Sequence, residues 1–331
     1  MTTGAPTSPA VRDAVLDRES RFQAGFILDP DRAQTPSYRI TPFSTADVPR
    51  NLALAAQVSK SRSPVDRWRL KAFRYTRSGK EAIALALAAL HLRPSDCVTV
   101  FTTSGNRYVS RCVTAAIEKV CRWSRAIEPA TAALFVNHEF GYPHRDLASL
   151  RGHGVPIIED ACHSYLADTA ASDMGQVGDF LIFSLPKVFP IQAGGVLAYD
   201  PRHDIQSSVT ADPAFGRYLD AVVSHYLPEA AEIRARRRAN HDGLAARLHP
   251  FGCEPRFELR DEDVPGVFLF STPPGVDLDA MKAHGWRHGI ECSVFYGEEA
   301  FFVPVHQRLE AADLDYFAAV FGDFLKSRKT R

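Results

Sequence analysis

The chain has 331 residues, with 39 Lys and Arg balanced by 39 Asp and Glu, so its formal net charge is zero. Hydrophobic residues make up 45% and charged residues 24%, which is the composition of an ordinary soluble globular protein. Zero net charge argues against binding to nucleic acid or to an anionic membrane, because both depend on a basic surface. No apolar run reaches the roughly 18 residues that a membrane span requires. The N-terminus also lacks the pattern of a secretory signal.

Six cysteines are spread along the chain, and none of them forms a Cys-x-x-Cys pair. Each stands singly among apolar residues, which predicts small buried thiols in the reducing cytoplasm rather than a disulfide framework. We therefore expect a cytoplasmic protein. The cysteines are Cys97, Cys112, Cys121, Cys162, Cys253 and Cys292.

The first 65 residues are rich in Pro, Ser, Thr and charge, and predict an N-terminal arm with a short helix at Ala10–Arg21. After this arm, the segment Glu81–Leu90 consists almost entirely of strong helix formers and is apolar all round, so we predict a buried helix. Ser78 is suited to be its N-cap, and Glu81, three residues later, completes the pattern of a capping box.

Strands and helices alternate from residue 98 to residue 199, which predicts βαβ units and a mostly parallel central sheet flanked by helices. In such a sheet the ligand lies at the carboxyl ends of the strands. The predicted strands are Val98–Thr102, Ala132–Asn137, Val155–Glu159, Phe180–Ser184 and Gly195–Tyr199, and the predicted helices are Val109–Val120 and Leu147–His153.

The pattern breaks around residues 200–230, where three prolines follow Asp or Leu, and a long helix is predicted at Glu229–Leu248. The arginines of this helix, at positions 234 and 236–238, predict a solvated or subunit-facing surface. The last 80 residues or so mix short strands and helices. We therefore predict a large α/β domain with its arm over residues 1–215 and a smaller α+β domain over residues 216–331. The predicted elements of the smaller domain include strands Val267–Phe270 and Glu291–Phe295, and helices Asp277–His284 and Leu314–Lys326.

Two residues in the central segment suggest chemistry that uses pyridoxal 5'-phosphate (PLP). Asp160 follows one predicted strand, and Lys187 follows the next within the apolar stretch 185–190. Such surroundings favour the uncharged amine that forms a Schiff base with the cofactor aldehyde. A carboxylate can keep the pyridine nitrogen protonated so that the ring accepts electrons. On position alone, Asp160 is equally suited to be the N-cap of a helix.

Other residues are placed to bind the same cofactor. His163 would lie on the same side as Asp160 if a helical turn follows, within reach of the phenolic oxygen. The backbone of Ser78, Gly79 and Lys80 at a helix start is suited to cradle a phosphate, although capping explains this segment equally well. Two further candidates are Ser184, for the phosphate, and Tyr108, which could stack on the ring or be a core aromatic.

A metal site is the weaker interpretation of this region. Its ligands would be His138, Glu139, Asp160, Cys162 and His163, whose spacing matches none of the usual ligand patterns. We therefore expect no metal.

In their order and spacing these segments resemble the DegT/DnrJ/EryC1/StrS family of PLP-dependent sugar aminotransferases, which have fold type I. The resemblance covers roughly residues 70–200 and returns at residues 301–309. It is carried by the Ser78-Gly79 turn, the strand ending in Glu159-Asp160 with His163, the Phe183–Gly195 segment containing Lys187, and a closing segment with Pro304 and His306.

The resemblance implies an aminotransferase. Lys187 would form the Schiff base and move the proton, Asp160 would pair with the pyridine nitrogen, and His163 would face the phenolic oxygen. Gly79, Lys80 and Ser184 would hold the phosphate. It further implies a homodimer with active sites at the subunit interface, L-glutamate as amino donor and a nucleotide-linked keto-sugar as acceptor, in the biosynthesis of polysaccharides or secondary metabolites.

Three departures from the family pattern leave other functions open. Lys80 replaces a small residue, the gap from Ser184 to Lys187 is short, and residues 200–230 contain no asparagine for the usual Asn-x-Arg loop. One alternative is a PLP enzyme of another reaction type on a small ketone. In the resembling sugar dehydratases, however, a histidine replaces the lysine. The other alternative is an inactive protein of this fold that acts as a partner or regulator, which would require neither Lys187 nor Asp160.

Overall fold

The computed structural model describes residues 36–57, 61–168, 172–205 and 212–328. The helix predicted at Ala10–Arg21 lies outside the described residues. Within the arm, the structure shows a helix that the sequence analysis did not predict, α1, at Asp47–Ala55.

A seven-stranded sheet forms the centre of the molecule, with the strand order β1-β7-β6-β5-β4-β2-β3. Strands β6, β5, β4, β2 and β3 pair in parallel, and β7 runs antiparallel to both of its neighbours. The prediction of a mostly parallel central sheet is therefore confirmed. Its strands are β1 at Ala72–Thr76, β2 at Cys97–Thr102, β3 at Arg122–Ser124, β4 at Thr131–Asn137, β5 at Ile157–Asp160, β6 at Phe180–Ser184 and β7 at Gly195–Tyr199.

The helices that accompany this sheet are close to the predicted ones but shorter in places. Helix α2 follows β1 without a long connection, and the helix predicted at Val109–Val120 is confined to α3. The segment predicted as helix at Leu147–His153 has four α-helical residues and ends in a 3-10 turn. These helices are α2 at Gly79–Ala89, α3 at Arg111–Ile117 and α4 at Leu147–Leu150.

The core has a layer on each face of the large sheet, because successive side chains of the buried strands point to opposite faces. In β6, Phe180 and Ile182 pack into a hydrophobic cluster on one face of the sheet, and Leu181 and Phe183 pack into a cluster on the other face. Successive side chains of a strand point to opposite faces, so an all-apolar strand must be covered on both sides. Helices α2 and α3 cover one face. The other face is covered by the segment around Trp68 and by the helix that follows β7.

That covering helix, α5 at Pro213–Tyr226, occupies the region where the sequence pattern seemed to break. Asp212 is its N-cap and accepts a hydrogen bond from the backbone N–H of Ala214, and Pro213 stands at the first helical position. Proline fits that position because its missing N–H would have no intrahelical partner there. The Asp-Pro pair thus begins a helix instead of interrupting one.

The C-terminal part has its own antiparallel sheet, with the order β10-β11-β9-β8, and its own hydrophobic cluster. Helix α5 spans the predicted boundary between residues 215 and 216 and packs with the large sheet, and the position of that boundary stays a prediction. The elements here are α6 at Ala230–Leu248, β8 at Glu254–Pro255, β9 at Phe268–Ser271, α7 at Leu278–Arg287, β10 at Ser293–Val294, β11 at Ala300–Val303 and α8 at Ala311–Arg328.

The N-terminal arm joins the two parts. Asp47 forms a bidentate ion pair with Arg308, with O–N distances of 2.7 and 2.6 Å. The side chain of Asn51 donates a hydrogen bond of 2.9 Å to the carbonyl of Pro190, close to the end of β6. Helix α1 therefore contacts both the C-terminal part and the loop that follows β6.

All six cysteines are free thiols, and five of them are buried, whereas Cys112 is exposed. Among the described residues, every helix is too short or too polar to cross a membrane.

Beneath the carboxyl edge of the large sheet, the fully buried carboxylate of Glu159 organises the backbone around it. It accepts hydrogen bonds from the N–H groups of Gly175 and Gly178, at 2.8 and 2.6 Å, and from Nε2 of His138 at 3.0 Å. Nδ1 of His138 accepts from the backbone N–H of His144, so its proton is on Nε2. Glu159 thereby fixes the strand ends of β4 and β5 and the loop before β6.

Replacing Glu159 with Ala should lower the free energy of unfolding by about 3 kcal/mol, because three buried donors lose their acceptor. Denaturant unfolding would measure this loss. The control Glu232→Ala removes an exposed carboxylate from an exposed ion pair and should cost less than about 0.5 kcal/mol. Equal midpoints for the two variants would contradict the assigned role of Glu159.

Candidate active site

At the carboxyl edge of the large sheet, a cavity of about 600 Å³ opens between the two parts of the chain. Every residue predicted to bind or act on the cofactor lines this cavity, although the residues come from four separate segments. They are Ser78, Gly79, Lys80, Tyr108, Asp160, His163, Ser184 and Lys187.

The start of helix α2 forms one wall. Ser78 is the N-cap, and its Oγ accepts from the N–H of Glu81 at 3.3 Å, as predicted. Glu81 differs from a regular capping box, since its carboxylate accepts from the N–H of Arg77, one residue before the N-cap. The first N–H groups of a helix lack intrahelical partners, so those of Gly79 and Lys80 are suited to an anionic ligand.

Two glycines allow this wall to lie beside β7. A Cβ at Gly195 would stand 2.6 Å from the carbonyl carbon of Ser78 and 2.8 Å from the nitrogen of Gly79. Gly194 has a φ of 121°, which L-residues rarely adopt, and its N–H donates to the carbonyl of Arg77. The Gly-Gly pair is therefore needed for the backbone of the helix start to approach the sheet.

Asp160 is the last residue of β5, and its Oδ1 accepts from the backbone N–H of Cys162 at 3.0 Å. A series of turns, and no helix, follows it. The alternative of a helix N-cap is therefore wrong, and the carboxylate instead closes a local turn while lining the cavity.

Lys187 and His163 meet within the cavity. Nζ of Lys187 donates to Nε2 of His163 at 2.6 Å. Burial, together with the neighbouring Lys187 and Arg237, holds the pKa of His163 well below its ordinary value, so the ring is neutral. Its Nδ1 is buried and has no hydrogen-bond partner among the described residues. Gly266 packs directly against this ring, since a Cβ there would lie 2.5 Å from Nδ1.

The turn that carries Lys187 is held from the C-terminal part by Arg237. This arginine is buried, with 1% of its surface exposed, so the prediction of a solvated or subunit-facing surface is wrong at this position. It donates to the carbonyl of Lys187 at 2.7 Å and to Oε1 of Gln307 at 3.0 Å. Gln307 in turn donates to the carbonyl of Val188 at 2.9 Å. Burial lowers the pKa of Arg237 to about 10, which leaves it charged at neutral pH.

The sequence analysis named His138 and Glu139 only as possible metal ligands, and did not place the end of β4 and the residues after it in the cofactor site. Asn137, His138, Glu139 and Phe140 line the cavity. Phe140 has a φ of 51°, and its ring lies 5.4 Å from that of His163. The signal was available, since these residues stand at the carboxyl end of a parallel strand, the same position that singled out Asp160.

Other walls come from distant parts of the chain. Ile40 and Thr41 of the arm line the cavity, as do Glu291 and Phe302 of the C-terminal part. None of the described residues between 200 and 230 lines it. Tyr108 packs against Phe295 with a centroid distance of 5.5 Å.

These residues fit PLP. The cavity has the volume of a typical small-molecule site, and it combines an amine, a carboxylate and the start of a helix. At Gly79 a Cβ would stand 2.9 Å from Sγ of Cys162 and 3.3 Å from Cβ of Ser184, so the backbone there is kept free of a side chain. Among the described residues, no group of three or more His, Cys, Asp or Glu could hold a metal ion.

The fold and this arrangement define a PLP-dependent enzyme of fold type I. Residues 75–201 match the model of the DegT/DnrJ/EryC1/StrS aminotransferase family, which supports a PLP-dependent aminotransferase. The resemblance drawn from the sequence is thus confirmed. No curated protein matches the sequence.

Solved structures share the fold over most of the chain. The aminotransferase TlmJ from Streptoalloteichus hindustanus is 17% identical, with a TM-score of 0.69, and the match covers 88% of this chain and 100% of that chain. DesV from S. venezuelae is 17% identical, with a TM-score of 0.65 over 88% and 99% of the two chains. The GDP-4-keto-6-deoxy-D-mannose-3-dehydratase from E. coli is 14% identical, with a TM-score of 0.64 over 87% and 100%.

Replacing Arg237 with Met should weaken PLP binding about tenfold, because the turn of Lys187 loses a buried charged donor. Titration of the cofactor absorption band would give the dissociation constant. The control Arg236→Met changes an exposed arginine of the same helix and should leave that constant within about twofold. Equal affinities in the two variants would show that Arg237 does not position the lysine.

Acid should destabilise the protein through His306, because burial lowers its pKa to about 3. The unfolded chain binds this proton near pH 6.5 and the folded chain does not, so stability falls as the pH drops below about 6.5. At pH 5 the loss from this residue is about 2 kcal/mol relative to pH 7. His306→Asn should flatten the pH dependence of denaturant unfolding, whereas the exposed control His153→Asn should not.

Proposed function

We propose that this chain transfers an amino group from L-glutamate to a keto-sugar that is linked to a nucleotide, in the biosynthesis of a polysaccharide or secondary metabolite. The observation that carries the proposal is the convergence of Lys187, Asp160, His163 and the start of helix α2 on one cavity. The family match supports amino transfer, and the names of structural neighbours suggest sugars as substrates.

Each residue has a distinct part in this proposal. Lys187 would hold PLP through Nζ and, when released, carry a proton between the substrate and the cofactor. Asp160 would face the pyridine nitrogen with a negative charge. Ser78, Gly79, Lys80 and Ser184 would bind the phosphate. Bound PLP supplies an electron-accepting ring on which the amino group is carried from donor to acceptor.

His163 and Tyr108 would complete the cofactor site. Because the ring of His163 is neutral, one of its nitrogens can donate a hydrogen bond and the other can accept one. This suits a residue that faces the phenolic oxygen. Tyr108 lines the same cavity, and its aromatic surface is suited to stack on the pyridine ring.

The second candidate function is a PLP-dependent reaction other than amino transfer, because one structural neighbour of similar coverage is a dehydratase. Fold similarity therefore does not choose between the two reactions. Lys187 favours transamination, since an amine in this position can both hold the cofactor and transfer a proton. Retention of both Lys187 and Asp160 argues against an inactive partner protein.

We further propose a cytoplasmic homodimer with its active sites at the subunit interface. The six free thiols support a reducing compartment. The cavity borders Lys80, whose side chain is exposed, and a second subunit could cover this open side. Sedimentation of the purified protein would give its oligomeric state.

Addition of L-glutamate to the PLP-loaded protein should convert the visible absorption band to that of the pyridoxamine form. Lys187→Ala should slow this conversion at least about a thousandfold, because it removes the proton-carrying amine. Asp160→Asn, which keeps the shape and removes the charge, should slow it about a hundredfold. A band that does not respond to glutamate would exclude this donor, and an unchanged rate in Lys187→Ala would exclude the assigned chemistry.

A further inference from the structure

A second cavity, of about 570 Å³, lies at the edge of the large sheet opposite to the active site. Residues before β5 and β6 and residues after β7 form its walls, so it faces the amino ends of β5 and β6. Ile157, the first residue of β5, lines this second cavity, whereas Asp160, the last residue of the same strand, lines the active site. Among the described residues, none lines both cavities, so the two are separate.

Three arginines from three separate segments line the second cavity. Arg69 precedes β1, Arg151 follows α4, and Arg202 follows β7. All three residues are exposed, and the side chain of Arg202 keeps 63% of its accessible surface. A molecule in solution can therefore reach their guanidinium groups.

The loop before β6 holds two of these arginines through its backbone carbonyls. Nη2 of Arg69 donates to the carbonyl of Gly178 at 2.5 Å. Nη2 of Arg151 donates to the carbonyls of Gln176 and Val177, at 2.8 and 3.3 Å. Because these carbonyls belong to successive residues, the two guanidinium groups lie close to each other. Each guanidinium has five N–H groups, and these bonds use at most two of them.

The charges of the second cavity favour an anion over a cation. Both of its carboxylates already have donors. Oδ2 of Asp179 accepts from a backbone N–H at 2.8 Å, and its Oδ1 is paired with Arg202. Oδ1 of Asp200 accepts from the N–H of Arg202 at 3.1 Å. Among the described residues, the ion pairs of this cavity involve Arg202 and neither Arg69 nor Arg151, so two guanidinium groups keep an uncompensated charge.

A pair of arginines of this kind is suited to phosphoryl groups. The planar fork of a guanidinium matches the spacing of phosphate oxygens and binds two of them at once. Two such forks beside one loop suit an anion with several charged oxygens, and a diphosphate is such an anion. The volume of the cavity lies in the range of small-molecule sites, so it also has room for an organic part.

We propose that the second cavity binds the diphosphate group of a small molecule between Arg69 and Arg151. This binding site is distinct from the cofactor site. It also does not depend on the proposed amino transfer, since none of its residues takes part in that reaction.

Isothermal titration calorimetry of the PLP-loaded protein with inorganic pyrophosphate tests the proposal. Loading with PLP fills the phosphate cradle at the start of helix α2, so that pyrophosphate is excluded from it. The wild-type protein should bind one pyrophosphate per chain with a dissociation constant below about 1 mM. Absence of binding at pyrophosphate concentrations up to about 10 mM would overturn the proposal.

Arg69→Gln and Arg151→Gln should each weaken pyrophosphate binding at least about tenfold, because each removes a charged donor. Arg151→Lys should weaken it less than Arg151→Gln, since it keeps the charge and loses only the fork. The matched control is Arg74→Gln, which removes the same charge from an exposed position of β1 outside the cavity and should change the dissociation constant less than about twofold. Equal effects of the three Gln variants would show a response to overall charge and would contradict the proposal.

Asp200→Asn tests the site without removing an arginine. The amide oxygen of asparagine can still accept from the N–H of Arg202, so the turn after β7 keeps this bond. Loss of a negative charge from the cavity wall should tighten pyrophosphate binding about twofold to fivefold. The cofactor absorption band verifies that each variant is folded. If the arginine variants do not fold, Asp200→Asn decides, and an unchanged or weaker affinity there counts against the proposal.

Discussion

The close approach of two backbones, at Gly195 and at Ser78-Gly79, is the constraint on which the site depends. Helix α2 can begin beside β6 and β7 only because no side chain stands between them. This contact places the unpaired N–H groups of the helix start next to Ser184 and the turn of Lys187. The packing of these two backbones thus determines where the start of helix α2 lies, and the other walls complete the cavity around it.

A second constraint is electrostatic. The amine of Lys187 lies against a neutral histidine, and the charged guanidinium of Arg237 holds the carbonyl of the same lysine. Arg237 has no carboxylate within ion-pair distance among the described residues, so its charge is balanced only by carbonyl and amide dipoles. Such a group is costly to bury. We infer that the cost of burying Arg237 in folding free energy is offset by its effect on function, which is to fix the position of the turn that carries Lys187.

Much of the fold could be predicted from the sequence. Strand Phe180–Ser184, with Lys187 after it, and the buried helix after Ser78 follow from local patterns of apolar residues and caps. Because ligands lie at the carboxyl ends of parallel strands, the two strands then predicted that Asp160 and Lys187 lie in one site. These predictions succeeded because strand periodicity and helix caps are local properties, which do not require knowledge of tertiary contacts.

The failures have a common physical reason, because each depends on partners far along the chain. Nothing near Arg237 shows that it will be buried against residues 187 and 307. Helix α1 lies in a segment rich in Pro, Ser, Thr and charge, and its side chains contact Pro190 and Arg308, which are far along the chain. In the case of Asp212-Pro213, the proline was interpreted as a break, although the same pair commonly begins a helix.

The contacts of Arg237 and Gln307 have a consequence for protein synthesis. The large sheet is complete by residue 199, yet the turn of Lys187 acquires its holding groups only when residues 237 and 307 are present. A nascent chain therefore forms the turn of Lys187 early and fixes its position late, once residues 237 and 307 have left the ribosome. Until then the amine of Lys187 is carried on a turn without these contacts.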